Sequence, residues 1–138
     1  MIGLDTNMLI RYITQDDDEQ SGKAVNFLEQ KCTIEDPGYI NLIVLCEMVW
    51  VLKRAYGYEK RIIIDVLEKL IQTGQLVVEK SELVWEAIEA YKTGLADFSD
   101  YLIAISNKSA GCQYTTTFDH RAGAFNLFRK LPHFPNDK

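Results

Sequence analysis

Short β-prone runs alternating with helix-periodic segments predict an α/β fold: a central parallel β-sheet flanked by α-helices. A glycine or a turn motif separates most of these segments, so the alternation is punctuated as βα units require. The chain of 138 residues, 47% hydrophobic and 25% charged, suits one domain over 1–138 with a full core and argues against disorder. It contains no repeat, linker or low-complexity stretch.

Residues 2 to 5 read as a buried strand. The acidic run Asp16-Asp17-Asp18-Glu19 caps and starts a helix through about Gln30, because carboxylates favour a helix N-terminus. Asp36-Pro37-Gly38 is a turn, Tyr39-Ile40 a short strand, and Asn41 a cap for a helix over about 42 to 56. That helix is apolar nearly all round: Leu42, Leu45, Val49 and Leu52 form a stripe that Ile43, Trp50 and Val51 widen. Such a helix is buried or sits at an interface. Gly57 stops it. A second helix spans about 59 to 73, with Ile62, Ile63, Val66, Leu67, Leu70 and Ile71 on one face, and Gly74 ends it. Residues 75 to 78 form a strand. Ser81 caps a helix through Lys92, closed by Gly94. The next helix begins near Asp97 to Asp100 and ends at Gly111, and 112 to 117 is a strand. The tail with Pro132 and Pro135 should be irregular, and His133 within it carries no signal.

Composition narrows the function classes. A net charge of −5 argues mildly against a nucleic-acid surface, an argument that bound cations would weaken. Basic residues nevertheless recur as Lys53-Arg54, Lys60-Arg61 and Arg129-Lys130, with Arg11 and Arg121 beside acidic motifs. The three cysteines lack C-x-x-C spacing; Cys46 and Cys112 lie in apolar runs and read as buried, so a reducing cytoplasmic setting is expected. A strand at the very start leaves no room for a signal peptide, and no apolar run is long enough to span a membrane. There is no Walker phosphate loop. Asn7 stands where an aspartyl-phosphate phosphatase would carry its second Asp, and Asp5 lacks the acidic neighbour of a receiver domain.

Four carboxylates stand out. Asp5 closes the first apolar run, Glu47 lies inside the apolar helix, Asp100 opens another, and Asp119 follows the run Tyr114-Thr115-Thr116-Thr117-Phe118. Burying an ionised carboxylate is costly unless it is paired or metal-bound. Arg54 is too far along the helix to be the favoured i,i+4 partner of Glu47. An all-oxygen set suits a hard cation, Mg²⁺ or alternatively Mn²⁺. Asp5 and Asp119 each follow a strand, so they could meet at the carboxyl edge of the sheet, where α/β folds bind ligands. Asp97 has the spacing of a capping box with Asp100, so it is either a cap or a further ligand. Thr6, Asn7 and Thr117 are candidates to steady Asp5 and Asp119, or are caps and strand residues. His120 is a possible proton carrier.

Asp5-Thr6-Asn7 after an N-terminal strand, a Glu within an apolar helix, Asp97-Phe98-Ser99-Asp100-Tyr101-Leu102-Ile103-Ala104 and Thr117-Phe118-Asp119 occur in that order. This set resembles PIN domains, and in particular the VapC toxins of toxin–antitoxin pairs. Leu4-Asp5-Thr6-Asn7-Met8-Leu9-Ile10-Arg11-Tyr12 is especially similar. The resemblance covers essentially the whole chain. It implies a Mg²⁺-dependent endoribonuclease whose acidic site is Asp5, Glu47, Asp100 and Asp119, with Asp5 and Asp100 the most direct metal ligands. It also implies an RNA substrate, a cognate antitoxin and a homodimer. The rival from another class is a catalytically silent PIN-like module that binds RNA or protein.

Overall fold

The computed structural model describes residues 1–131, and the tail with Pro132, His133 and Pro135 lies outside the described residues. The chain divides into two units, one over Met1–Ser81 and one beginning at Glu82.

The first unit holds β1 (Ile2–Gly3), α1 (Thr6–Thr14), α2 (Asp18–Lys31), β2 (Gly38–Ile40), α3 (Leu42–Arg54), α4 (Lys60–Gln72) and β3 (Leu76–Val78). Its strands form a parallel sheet in the order β1-β2-β3, with Gly38 paired to both Ile2 and Leu76. The strands are very short, so bonds beyond their ends extend the ladder: Leu4 N–H donates to Tyr39 O at 2.9 Å and Glu79 N–H to Ile40 O at 2.9 Å. Gly38 has to be a glycine. A Cβ there would meet Leu4 Cδ1 at 2.8 Å, Leu76 Cδ2 at 3.1 Å and Cys32 Sγ at 3.2 Å, all part of the packed layer over the sheet.

Helix α1 was not expected from the apolar pattern. Asp5 caps it by accepting from Met8 N–H at 2.9 Å, and Gln15 closes it in the left-handed region at φ 52°. Nine residues do not make a stable isolated helix. Burial of Leu9 and Ile10, as α1 packs against α2 and α3, supplies what local propensity lacks. The other helices of this unit begin and end close to where their cap signals put them. Asp17 accepts from Gln20 N–H at 3.0 Å, and Asn41 Oδ1 from Val44 N–H at 2.8 Å. Leu45, Met48, Leu52, Ile63 and Leu67 are fully buried. Of the two long helices, α3 is the one that leaves large apolar side chains in solvent. There Ile43 is 72% and Trp50 61% exposed, while no large apolar side chain of α4 is exposed.

Helix α5 (Ser81–Thr93) opens at the boundary, and the second unit adds α6 (Phe98–Ser109), β4 (Thr115–Thr117), a 3-10 turn (Ala122–Ala124) and β5 (Phe128–Lys130). Strands β4 and β5 pair in parallel, with Thr116 opposite Arg129, and β5 had no counterpart in the sequence reading. Among the described residues the parallel strands thus form two ladders, β1-β2-β3 and β4-β5. Val84, Ala87, Ile88, Phe98 and Tyr101 form the core of this unit, and the Tyr91 and Phe98 rings meet edge to face with centroids 5.9 Å apart. Gly94 is required by close approach. A Cβ there would overlap the Tyr101 hydroxyl, which accepts from Ala96 N–H at 3.2 Å.

The three cysteines are unpaired thiols. Burial pushes Cys46 up to about 11, and burial together with the Asp36 charge raises Cys32. Cys112 is exposed, contrary to expectation, because it lies in the turn before β4 rather than in the strand.

Candidate functional site

The premise that the four carboxylates are buried needs correction. Asp5, Glu47 and Asp119 are exposed and Asp100 is half-buried. Each stands where an apolar element reaches its polar end or face. Asp5 and Asp119 follow strands, Asp100 lies in the first turn of a helix, and Glu47 is on the outward side of α3 between Ile43 and Trp50. An apolar neighbourhood in sequence does not imply burial when the helix shows that side to solvent.

In the first unit, Asp5 and Glu47 are linked through Thr6. The turn from β1 into α1 places Asp5 as the cap, so its Oδ1 holds the Met8 amide. The next residue, Thr6, donates its hydroxyl to Glu47 Oε1 at 2.6 Å, across 41 positions of sequence. Thr6 therefore steadies Glu47 rather than Asp5, which sequence reasoning had assigned to it. Asn7 is exposed and lines, with Asp5, Met8, Arg11, Lys23 and Phe27, a cleft of about 590 Å³ beside α1 and α2.

Arg11 has a structural part. Its Nε donates to Gln20 Oε1 at 2.6 Å and its Nη1 to Asp16 Oδ1 at 3.1 Å and Tyr56 OH at 3.3 Å. Tyr56 OH in turn donates to Asp16 Oδ2 at 2.7 Å, and Thr14 Oγ1 to Asp16 Oδ1 at 2.8 Å. The Tyr56 and Thr14 hydroxyls hold the Asp16 carboxyl below its ordinary value. This clasp joins the ends of α1 and α3 to the start of α2. Its partner Tyr56 has no signal in the linear pattern.

In the second unit, Asp97 and Asp100 form a capping box at the start of α6: Asp97 N–H donates to Asp100 Oδ2 at 3.1 Å. Asp97 is thus the helix cap. Asp100 uses one oxygen in that box. Burial raises its carboxyl above the ordinary value. The Asp97 amide opposes the rise, the Asp97 and Asp119 carboxylates add to it, and Arg121 opposes it again. Asp119 Oδ1 accepts from Arg121 N–H at 2.8 Å and Ala122 N–H at 3.4 Å, which fixes the turn after β4. Thr117 Oγ1 accepts from Asp119 N–H at 3.0 Å, so Thr117 orders the backbone before Asp119 and not its carboxylate. His120 Nδ1 receives a hydrogen bond from the Lys130 ammonium at 3.2 Å, since an ammonium only donates.

The donor set is all carboxylate and hydroxyl oxygen, which matches a hard divalent cation and not zinc or a soft metal. The like charges around Asp100 make a cation favourable there. Among the described residues, no group of three or more His, Cys, Asp or Glu side chains is already gathered into a metal-holding cluster. The fit is therefore one of donor chemistry and charge. No helix among the described residues is long and apolar enough to cross a membrane.

Comparison with known proteins identifies the family. The chain is 25% identical to the VapC ribonuclease of Aquifex aeolicus (strain VF5), over 93% of this chain and 90% of that protein. The sequence model of the PIN domain matches residues 2–128, nearly the whole chain. With its parallel βα architecture and its acidic motifs in this order, the chain belongs to the PIN domain family.

Proposed function

We propose that the protein is a Mg²⁺-dependent endoribonuclease, the cytoplasmic toxin component of a toxin–antitoxin pair, with Mn²⁺ as the nearest substitute ion. The observation that carries this reading is the concentration of negative charge at Asp100, half-buried and raised by burial and by Asp97 and Asp119. A capping box needs one acidic side chain at the helix start; it does not need Asp119 beside it. Similarity to a VapC ribonuclease supports the substrate class.

In this reading Asp5, Glu47, Asp100 and Asp119 act together, and Asp5 and Asp100 hold the ion. A Mg²⁺ held by Asp5 and Asp100 would supply positive charge against the phosphoryl oxygens and would make water a better nucleophile. The chain's own groups do the rest. Glu47 has one oxygen occupied by Thr6, which leaves Oε2 to accept the proton of the attacking water. Asp119 stays fixed by its two amide bonds while charge builds on phosphorus. Attack of water forms a new P–O bond and breaks the bond to O3′, leaving a 5′-phosphate and a 3′-hydroxyl.

The same reading includes a homodimer and an antitoxin. Ile43 and Trp50, exposed on α3, supply apolar surface for a symmetric contact. The antitoxin presents an Arg or Lys to the carboxylates and an amphipathic helix to the apolar face near α3. The deciding experiment is cleavage of RNA by the purified protein with Mg²⁺ and with EDTA, wild type against Asp100→Asn. Undiminished cleavage by the variant in EDTA would sink the mechanism. Metal-independent RNA binding without any cleavage would establish the silent module instead.

A further inference from the structure

The exposed face of the β4–β5 ladder, all within the second unit, is not accounted for by the acidic site. Exposure alternates along the strand and its flanks: Tyr114, Thr116 and Phe118 are exposed, while Thr115 and Thr117 are half-buried. Phe118 is 78% exposed, next to Asp119. Arg129 stands opposite Thr116 in the parallel register, and its guanidinium carbon lies 4.7 Å from the centre of the Tyr114 ring. Lys130 stands opposite Thr117, so it points to the other side of the ladder, where its ammonium meets His120 Nδ1 at 3.2 Å. From 112 to 131 the chain carries three cations, Arg121, Arg129 and Lys130, against one carboxylate, Asp119, in a protein whose net charge is −5. The segment is therefore a local reversal of the protein's charge, and its exposed side carries Arg129 against Tyr114 together with the outward ring of Phe118.

We propose that this face binds single-stranded RNA, with Tyr114 and Phe118 stacking unpaired bases and Arg129 taking a phosphate. This rests on the ribonuclease reading and names the part of the chain that would lead substrate to Asp119. Tyr114 and Phe118 flank the two ends of β4, so they serve two bases rather than one. Aromatic rings on a sheet face stack unstacked bases whatever their identity, and flanking cations track the backbone. The Arg129 guanidinium already stacked on Tyr114 widens the platform, because its plane also accepts a base. Charge complementarity selects a polyanion, and the rings select one with exposed π-faces. A duplex, whose bases are stacked inside, offers only phosphates.

The test uses the full chain and a short fluorescent single-stranded RNA, with affinity read by anisotropy in EDTA so that no hydrolysis occurs. Phe118→Ala and Tyr114→Ala should each weaken binding roughly 5- to 100-fold. Phe118→Trp should restore it. Arg129→Ala should lower the slope of log affinity against log salt by about 0.7 to 1. Duplex RNA of the same sequence should be insensitive to Phe118→Ala. Circular dichroism checks the fold, and if either alanine variant melts early, the Trp variant and the Arg129→Ala salt slope still decide. Mg²⁺-dependent cleavage by the wild type is measured in parallel. If the wild type cleaves but the ring and Arg129 variants bind as tightly as it does, the platform is wrong and the ribonuclease reading stands. If the wild type binds through the rings but never cleaves, the platform stands and the ribonuclease reading falls. No binding of single strands by the wild type overturns the platform.

Discussion

The two units of the chain hold their singled-out carboxylates by different physics. In the first unit, Asp5 and Glu47 are exposed and held by hydrogen bonds: a cap to Met8 N–H and a Thr6 hydroxyl. In the second unit, Asp100 is half-buried among the carboxylates of Asp97 and Asp119, with Arg121 as partial relief. One set is organised by donors that cost little to keep, the other by charge that a cation would relieve. Mutations and metal should therefore act on the two sets differently.

The largest expected effect comes from removing charge. Asp100→Asn and Asp5→Asn should each abolish Mg²⁺-dependent cleavage, a loss on the order of 10²-fold or more, as for removal of an electrostatic stabiliser. Asp100→Asn should also change stability. Its carboxyl is raised above 3.8 in the fold, so the folded state binds the proton more tightly than the unfolded chain. The stabilising effect of that protonated form is fully present below 3.8 and is lost as pH rises through the higher folded value. Thermal melting in EDTA should show this slope in the wild type and a flatter one in Asp100→Asn. Equal slopes would show that Asp100 is not the compressed group.

The next effect tests the hydrogen-bonded set. Thr6→Val keeps the shape but removes the donor to Glu47. Cleavage should fall about 10- to 100-fold, the usual cost of losing a group that orients a site side chain. Because Glu47 is exposed, stability should change by only about 1 kcal/mol or less. A Thr6→Ser variant that restores the rate would confirm the hydroxyl as the active part. A Thr6→Val enzyme as fast as wild type would remove Glu47 orientation from the mechanism.

A partner sharpens the comparison further. An antitoxin that places an Arg or Lys among the carboxylates competes with Mg²⁺, and the coupling is reciprocal. Partner affinity titrated at rising Mg²⁺ and constant ionic strength should fall. Indifference to Mg²⁺, with partner Arg→Ala still inhibiting, would rule out the plug. Assembly is a separate readout. Light scattering at tens of micromolar, a scale at which weak dimers with about −6 to −7 kcal/mol still form, should give a dimer that Trp50→Glu disrupts.

The smallest effects concern the scaffold. Gly94→Ala drives a Cβ into the Tyr101 hydroxyl and should destabilise by about 1–3 kcal/mol, read by thermal or urea melting. Asn41→Ala removes the cap of α3 and should cost about 1 kcal/mol. A Gly94→Ala protein as stable as wild type would mean that Tyr101 has room to move.

The helices whose start is written as a cap followed by a period were legible: Asp17 for α2, Asn41 for α3, and the Asp97–Asp100 box for α6. Helix α1 was not, because Asp5 serves at once as the end of a strand and the cap of a nine-residue helix that packing sustains. Strand β5 was missed for a related reason. Three residues, Phe128 to Lys130, carry too short an alternation to stand out, and only pairing with β4 makes them a strand. The four carboxylates were singled out in the chain for a reason that failed. They are not buried charges; what distinguishes them is that they sit at element ends and on an outward helix side.

The sequence by itself determined the α/β class, most helix boundaries, the order of the acidic motifs and, through them, the PIN family. These are local properties: a cap, a period and a spacing are written in consecutive residues. Tertiary structure alone decided that Thr6 holds Glu47 across 41 positions, that Asp16 is clasped by Tyr56 and Arg11, and that Tyr114 and Arg129 stack on an exposed sheet face. Each of these joins residues far apart in the chain. Which distant groups meet is fixed by packing and strand register, and no linear pattern of hydrophobicity or charge encodes that choice.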